Sequence, residues 1–185
     1  MTMKIICFGD SNTMGYDPRG YFGGCYDAPW PEVLAEMSGW SVRNAGEPGR
    51  EIPGYQLNFP KDVDLLAVML GTNDLLQGNP PEIIMNRMKF FLEQTDIERS
   101  KILLIGPPSM KLGAWVPAQG LIESSKELNI AYQALSQRLG VHFVNADLWG
   151  VSMAFDGVHF TERGHKTFAI GLYEYLKKEV CNYVS

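Results

Sequence analysis

The stretch Ile5-Ile6-Cys7-Phe8-Gly9-Asp10-Ser11-Asn12-Thr13-Met14-Gly15 decides how this chain reads. An apolar run from Ile5 to Phe8 stops abruptly at Gly9-Asp10 and delivers Ser11 at the carboxyl end of a predicted strand. In an open α/β sheet that edge is where ligands bind and catalysis occurs. Glycine ahead of a polar pair lets the backbone turn tightly and leaves room for a ligand. In isolation, however, a lone serine after a strand is more often a helix N-cap.

Working outward from this start, strand and helix patterns alternate. Tyr16, Tyr21 and Phe22 fall in a loop rich in glycine and aromatics, where they either line a pocket or cover the edge of the sheet. Pro31 suits the first turn of a helix carrying Val33, Leu34 and Met37 at helical spacing. A short second strand spans residues 40–43, followed by the turn at Gly46. Residues 64–70 are almost continuously apolar, as expected of a parallel strand buried on both faces. That run ends in Gly71-Thr72-Asn73-Asp74, again a polar segment at a carboxyl end.

Pro80-Pro81-Glu82 opens a predicted helix to about Arg99, with Ile84, Met88, Phe91 and Leu92 on one stripe. A fourth strand is predicted over 101–105, a loop near the candidate site containing Trp115 over 109–117, a long helix over 118–139 and a fifth strand over 141–144. Residues 147–155 read as irregular, and Thr161 is the expected N-cap of a last helix to about Val180. Repeats, low-complexity tracts and linkers are absent, so residues 1–185 are expected to form one domain. Alternating strands and helices imply a three-layer α/β/α sandwich around a five-stranded parallel sheet with right-handed crossovers.

Composition narrows the function classes. A hydrophobic share of 45% is ordinary for a globular chain, and 185 residues suit one α/β domain. The net charge of -5, without a basic cluster, disfavours nucleic acid or an anionic membrane as the main partner. Cys7, Cys25 and Cys181 have no metal-like spacing; an odd count points to reduced thiols and so to the cytosol. Lys4 runs directly into the first strand, whose apolar run is too short for a secretory signal. No stretch reaches the length of a membrane-spanning helix, so membrane insertion is not expected. A homo-oligomer is compatible with the chain.

Three further segments bear on Ser11: Asn44-Ala45-Gly46-Glu47-Pro48-Gly49, Leu70-Gly71-Thr72-Asn73-Asp74 and Asp156-Gly157-Val158-His159-Phe160. With the opening stretch they resemble the SGNH hydrolases, the GDSL esterase and lipase superfamily, marked by Ser, Gly, Asn and His in that order. The corresponding residues are Ser11, Gly46, Asn73 and His159. The segments are most similar to the small intracellular arylesterase and acyltransferase branch, although Met14 stands where that branch has Trp, which bears on the acyl pocket. The resemblance implies the flavodoxin-like strand order 2-1-3-4-5.

Ester cleavage needs a nucleophile, a base and donors for the oxyanion. A serine hydroxyl attacks poorly at neutral pH unless a base contacts it. Of the three histidines, His142 opens a strand and suits a structural or surface role, and His165, one turn into the last helix, a capping or surface role. His159 lies in a loop, with Asp156 three residues earlier. That spacing lets the carboxylate hold Nδ1–H while Nε2 faces Ser11, the orienting role of a triad acid. Alone, Asp156-Gly157 would read as a turn and His159 as a satisfied loop histidine. With the other segments present, Ser11, His159 and Asp156 form a candidate triad.

By the same logic the Ser11 N–H, the Gly46 N–H and the Asn73 side-chain amide can converge on one oxyanion. Gly46 would otherwise be a turn glycine, whereas here a side chain could obstruct the acyl group. Asn73 would otherwise be a cap or Asx-turn residue. Asp10 and Asp74 read as braces of their loops. No cluster has metal-ligand spacing, so neither metal nor cofactor is expected.

The expected function is a serine esterase acting on short-chain esters of small molecules, acetyl esters among them, because the loops are short and lack an obvious lid. An acyltransferase with an alcohol acceptor would use the same site. A magnesium-dependent phosphatase would need a second aspartate and a threonine where Asn12 and Met14 stand. A flavodoxin-like nucleotide or flavin module lacks its glycine-rich loop. A decayed binding protein would not keep every site position filled. The α/β-hydrolase family is excluded by motif, since its nucleophile sits in Gly-x-Ser-x-Gly at mid-chain.

Overall fold

The computed structural model describes residues 2–20 and 22–180, so Tyr21 and Cys181 lie outside the described residues. Strand β1 (Lys4–Gly9) runs into a one-turn helix, α1 (Ser11–Met14). Two short strands follow, β2 (Tyr16–Asp17) and β3 (Gly24–Cys25), paired antiparallel inside the segment expected to be a plain loop. Then come α2 (Trp30–Ser38), β4 (Ser41–Gly46), β5 (Leu65–Met69), α3 (Thr72–Leu76) and α4 (Pro81–Gln94). The chain continues through β6 (Ile102–Gly106), α5 (Gln119–Leu139), β7 (His142–Asn145) and α6 (Glu162–Glu179).

The main sheet has the order β4-β1-β5-β6-β7, with every pair parallel. Counted by its own strands this is the expected 2-1-3-4-5. Side chains of a strand alternate between faces, so each central strand feeds two cores. Ile6, Phe8, Leu66, Val68, Ile102 and Leu104 pack with Ile84, Met88 and Phe91 of α4 and Leu128, Tyr132 and Leu135 of α5. Ile5, Cys7, Leu65, Ala67, Leu103 and Ile105 pack with Trp30 and Leu34 of α2 and Phe168 and Leu172 of α6. Burial on both faces is why these strands read as continuous apolar runs.

Element boundaries differ from the expected ones where side chains compete for backbone groups. Helix α4 stops at Gln94 instead of Arg99, because the Thr95 hydroxyl donates to the carbonyl of Leu92 at 2.9 Å and Arg99 donates to the same oxygen. The chain then makes a 3-10 turn over Arg99–Lys101 before β6. The irregular stretch after β7 starts with a 3-10 turn over Ala146–Trp149, capped by the Asn145 side chain, which accepts from Asp147 N at 3.0 Å. Thr161 caps α6 as expected, accepting from Gly164 N at 3.0 Å.

Gly9 of β1 and Gly46 of β4 are partners in register. A Cβ on Gly9 would lie 2.0 Å from the Thr13 hydroxyl, and one on Gly46 would lie 2.1 Å from the backbone nitrogen of Met14. The two glycines therefore form a bare seat on which α1 rests. This corrects the ligand-room reading of both, because the space their missing side chains leave is filled by the chain's own first helix.

Candidate active site

The seat places α1, and Asp10 makes it a helix. Asp10 Oδ1 accepts from Asn12 N at 2.9 Å, while its carbonyl accepts from the N–H groups of Thr13 and Met14 at 3.1 and 3.0 Å. Asp10 is thus the N-cap, and burial pushes its carboxyl up to about 6 against its hydrogen bonds and the pull of Arg50. Because capping falls to Asp10, the Ser11 hydroxyl is left for another partner. That partner is His159, whose Nε2 lies 3.0 Å from Ser11 Oγ. The Ser11 N–H, unlike those of the next three residues, is not taken up by Asp10.

His159 is buried in the loop ahead of α6. Asp156 Oδ1 accepts from the N–H groups of Val158 and His159 at 2.9 and 3.0 Å, which turns Oδ2 toward His159 Nδ1 at 2.6 Å. A carboxylate only accepts, so Nδ1 carries the proton and Nε2 presents its lone pair to Ser11. The imidazole meets the Tyr16 ring, 4.7 Å away between centroids, and the Trp115 ring, 5.1 Å away and edge-on. Trp115 is held there by its N–H, which donates to the carbonyl of Asp156 at 3.0 Å, yet it remains half exposed. Sequence alone left the role of Tyr16 open and placed the loop of Trp115 near the site. Phe22, grouped with Tyr16 in that expectation, is 95% exposed.

The expected oxyanion donors arrive at the carboxyl ends of β4 and β5. Asn73, in the first turn of α3, donates through Nδ2 to the carbonyl of Arg50 at 3.0 Å, and its second N–H has no acceptor among the described residues. The Gly46 N–H donates to Asn44 Oδ1 at 3.0 Å. Arg50 ties these strand ends together: its guanidinium donates to the carbonyls of Gly9 and Ala45 and lies 4.3 Å above the Phe8 ring. Asp74 braces its loop as expected, accepting from Ile52 N at 3.1 Å and from Arg87 at 3.0 Å.

The other histidines lie apart from this cluster. His142 contacts the Ser100 carbonyl through Nε2 at 3.1 Å, at the opposite end of the sheet. A cavity of about 1300 Å³ opens at that same end, lined by Lys4, Trp40, Lys101 and His142. His165 is neither a cap nor a surface residue, which corrects the expectation. It is fully buried, its Nδ1 accepts from Trp30 N at 3.3 Å, and its ring meets those of Tyr26 and Phe160. Its place on α6 explains this, because residues three and four positions on, Phe168 and Ala169, lie on the same buried stripe. Burial lowers its pKa to about 4, so the ring is neutral.

The model of the GDSL-like lipase/acylhydrolase family matches residues 7–167. The chain belongs to that family. Solved structures agree with the assignment. The native aryl esterase of M. smegmatis is similar at 25% identity and a TM-score of 0.80, over 96% of this chain and 99% of that one. A carbohydrate acetylesterase family member from Sinorhizobium meliloti, at 22% identity, shares the fold with a TM-score of 0.79 over 96% of this chain and 98% of that one. No match was found among curated proteins. This GDSL-like acylhydrolase is a carboxylic ester hydrolase. Among the described residues, no three His, Cys, Asp or Glu side chains gather to hold a metal ion, and no helix is long and apolar enough to cross a membrane.

Proposed function

We propose that this acylhydrolase is a serine esterase that cleaves short-chain acyl esters of small molecules, acetyl esters among them, through an acyl-enzyme on Ser11. The observation that carries the proposal is the unbroken relay from Ser11 Oγ to His159 Nε2 at 3.0 Å and from His159 Nδ1 to Asp156 Oδ2 at 2.6 Å. Ser11 Oγ attacks the ester carbonyl as its proton passes to Nε2, and the carbonyl electrons move onto the oxygen. Asp156 stabilises the imidazolium that forms. When the intermediate collapses, the bond to the alcohol oxygen breaks and Nε2 returns the proton to that oxygen. Water repeats the sequence on the acyl-enzyme, releasing the acid and restoring Ser11.

The Ser11 N–H and the second N–H of Asn73 are free to meet the oxyanion. The Gly46 N–H reaches it only by sharing its proton with Asn44 Oδ1. The leaving alcohol takes its proton from His159 and so departs beside the two rings that meet it. Tyr16 and the half-exposed Trp115 favour a flat, apolar leaving group there. An aryl ester fits that description, in keeping with the aryl esterase named above.

A fluorophosphonate tests the assignment, since only a base-activated serine reacts with it at a useful rate. One label per chain, mapped to Ser11 and abolished in Ser11→Ala, is the expected result. A label on another residue, or none on the folded protein, would overturn the triad.

A further inference from the structure

The triad spans two loops that are far apart in sequence, and the bond between Ser11 and His159 is the contact the chemistry must break and remake. Some other contact has to hold the loops in register while that bond is broken. The Asp156 carboxylate does not do so, because all three of its hydrogen bonds stay within the loop that carries His159. The side chain of Asn12 does bridge them. Its Nδ2 donates to the carbonyl of Val158 at 3.0 Å, and its Oδ1 accepts from the N–H of Phe160 at 2.9 Å. Those are the peptides on either side of His159.

We infer that Asn12 is a positioning residue, which fixes His159 Nε2 on Ser11 by clamping both peptides that flank the histidine. Asn12 is buried, as are Val158 and Phe160, so water cannot substitute for the two bonds. Its main chain is equally constrained, because its N–H is held by Asp10 Oδ1 at 2.9 Å. The clamp is also chemically selective. One end donates to a carbonyl while the other accepts from an N–H, which among side chains of this size only a primary amide does. Aspartate accepts but cannot donate when ionised, and leucine does neither. The carboxamide thus couples the nucleophile's own helix to the base without touching substrate, and leaves the tautomer to Asp156.

This inference rests on Ser11 and His159 acting as nucleophile and base, so wild type and Ser11→Ala are measured first with the fluorophosphonate. If wild type is not labelled at Ser11, the triad reading fails, whatever Asn12 does. With labelling established, Asn12→Ala is compared for kcat, KM, labelling rate and Tm on a chromogenic acetyl ester. A displaced base costs about 10²-fold for roughly 1 Å of misplacement. The expected result is a kcat lowered by about 10- to 100-fold, a KM within about twofold, and labelling slowed in parallel. Met88→Ala, in the core on the other face of the sheet, supplies a comparable loss of Tm and should keep kcat. Asn12→Asp, which retains the bond from Phe160 N–H, should fall between wild type and Asn12→Ala, and it stands in for the alanine variant should that one not fold. A kcat and labelling rate as close to wild type as those of Met88→Ala, at a lowered Tm, would reduce Asn12 to an ordinary brace and overturn the inference.

Discussion

Asp156→Asn changes one atom of the relay, and the structure determines what that atom does. Oδ1 of Asp156 accepts two backbone N–H bonds, at 2.9 Å from Val158 and 3.0 Å from His159. An asparagine there keeps its oxygen on those donors, because flipping would leave two buried N–H groups unpaired at about 1–3 kcal/mol each. Its NH2 group then faces His159 Nδ1, which must give up its proton to accept the bond. The proton moves to Nε2, and Nε2 donates to Ser11 Oγ where it should receive. The base is present in the wrong tautomer. In serine proteases the same exchange lowers kcat about 10⁴-fold, or about 5 kcal/mol of barrier. A loss of that order is expected here, with Tm nearly unchanged because two of the three bonds persist. Steady-state hydrolysis of a chromogenic acetyl ester, with fluorophosphonate labelling as a second readout, measures it. A folded Asp156→Asn protein with kcat within tenfold of wild type would refute the argument that Asp156 sets the tautomer.

Asn73→Ala should lower kcat about 10²- to 10³-fold with little change in KM, as expected when an interaction forms mainly in the transition state. Loss of its bond to the Arg50 carbonyl should cost only about 1 kcal/mol of stability, and near-normal kcat at a lowered Tm would remove Asn73 from the site. His165 supplies a test by pH. Its pKa falls from the ordinary 6.5 to about 4 on burial, so the unfolded chain binds this proton first as pH drops. Stability is therefore lost as pH falls from 6.5 toward 4, by about 3 kcal/mol over the whole window. Asp10, raised from 3.8 to about 6, gains stability as pH falls through a similar window and masks the trend in wild type. The comparison of wild type with His165→Gln, by urea denaturation across pH, isolates the histidine. The variant should gain on wild type as pH falls, and parallel curves would refute the buried neutral assignment.

The sheet was legible in the sequence because the physics that builds it is local and repetitive. Runs such as 65–70 are apolar throughout since a strand covered by helices on both faces has no polar side, and this holds wherever the strand sits. Thr161 as a cap and Pro31 in a first turn are likewise local backbone chemistry. The candidate nucleophile and base were legible for a different reason, namely that their segments, from Asp10-Ser11 to Asp156-Gly157-Val158-His159, each carry several chemically specific residues in a short span. The end of α4 was not legible, because it depends on which donor reaches the Leu92 carbonyl.

What only the tertiary structure decided is how residues distant in sequence meet. A lone serine after a strand reads more readily as a cap than as a nucleophile until Asp10 is seen to take the capping bonds and leave the hydroxyl to His159. Gly9 and Gly46 each suggest room for a ligand, and only their pairing across β1 and β4 shows a helix resting on both. His165 is polar and stands near a helix start, yet the packing of α6 against α2 buries it. Asn12 gives no sign in the sequence of its bonds to residues 158 and 160. Periodicity and capping act between neighbours along the chain and are written there. A hydrogen bond between residues almost a whole chain apart exists only once the sheet has placed both ends, so its geometry belongs to the fold.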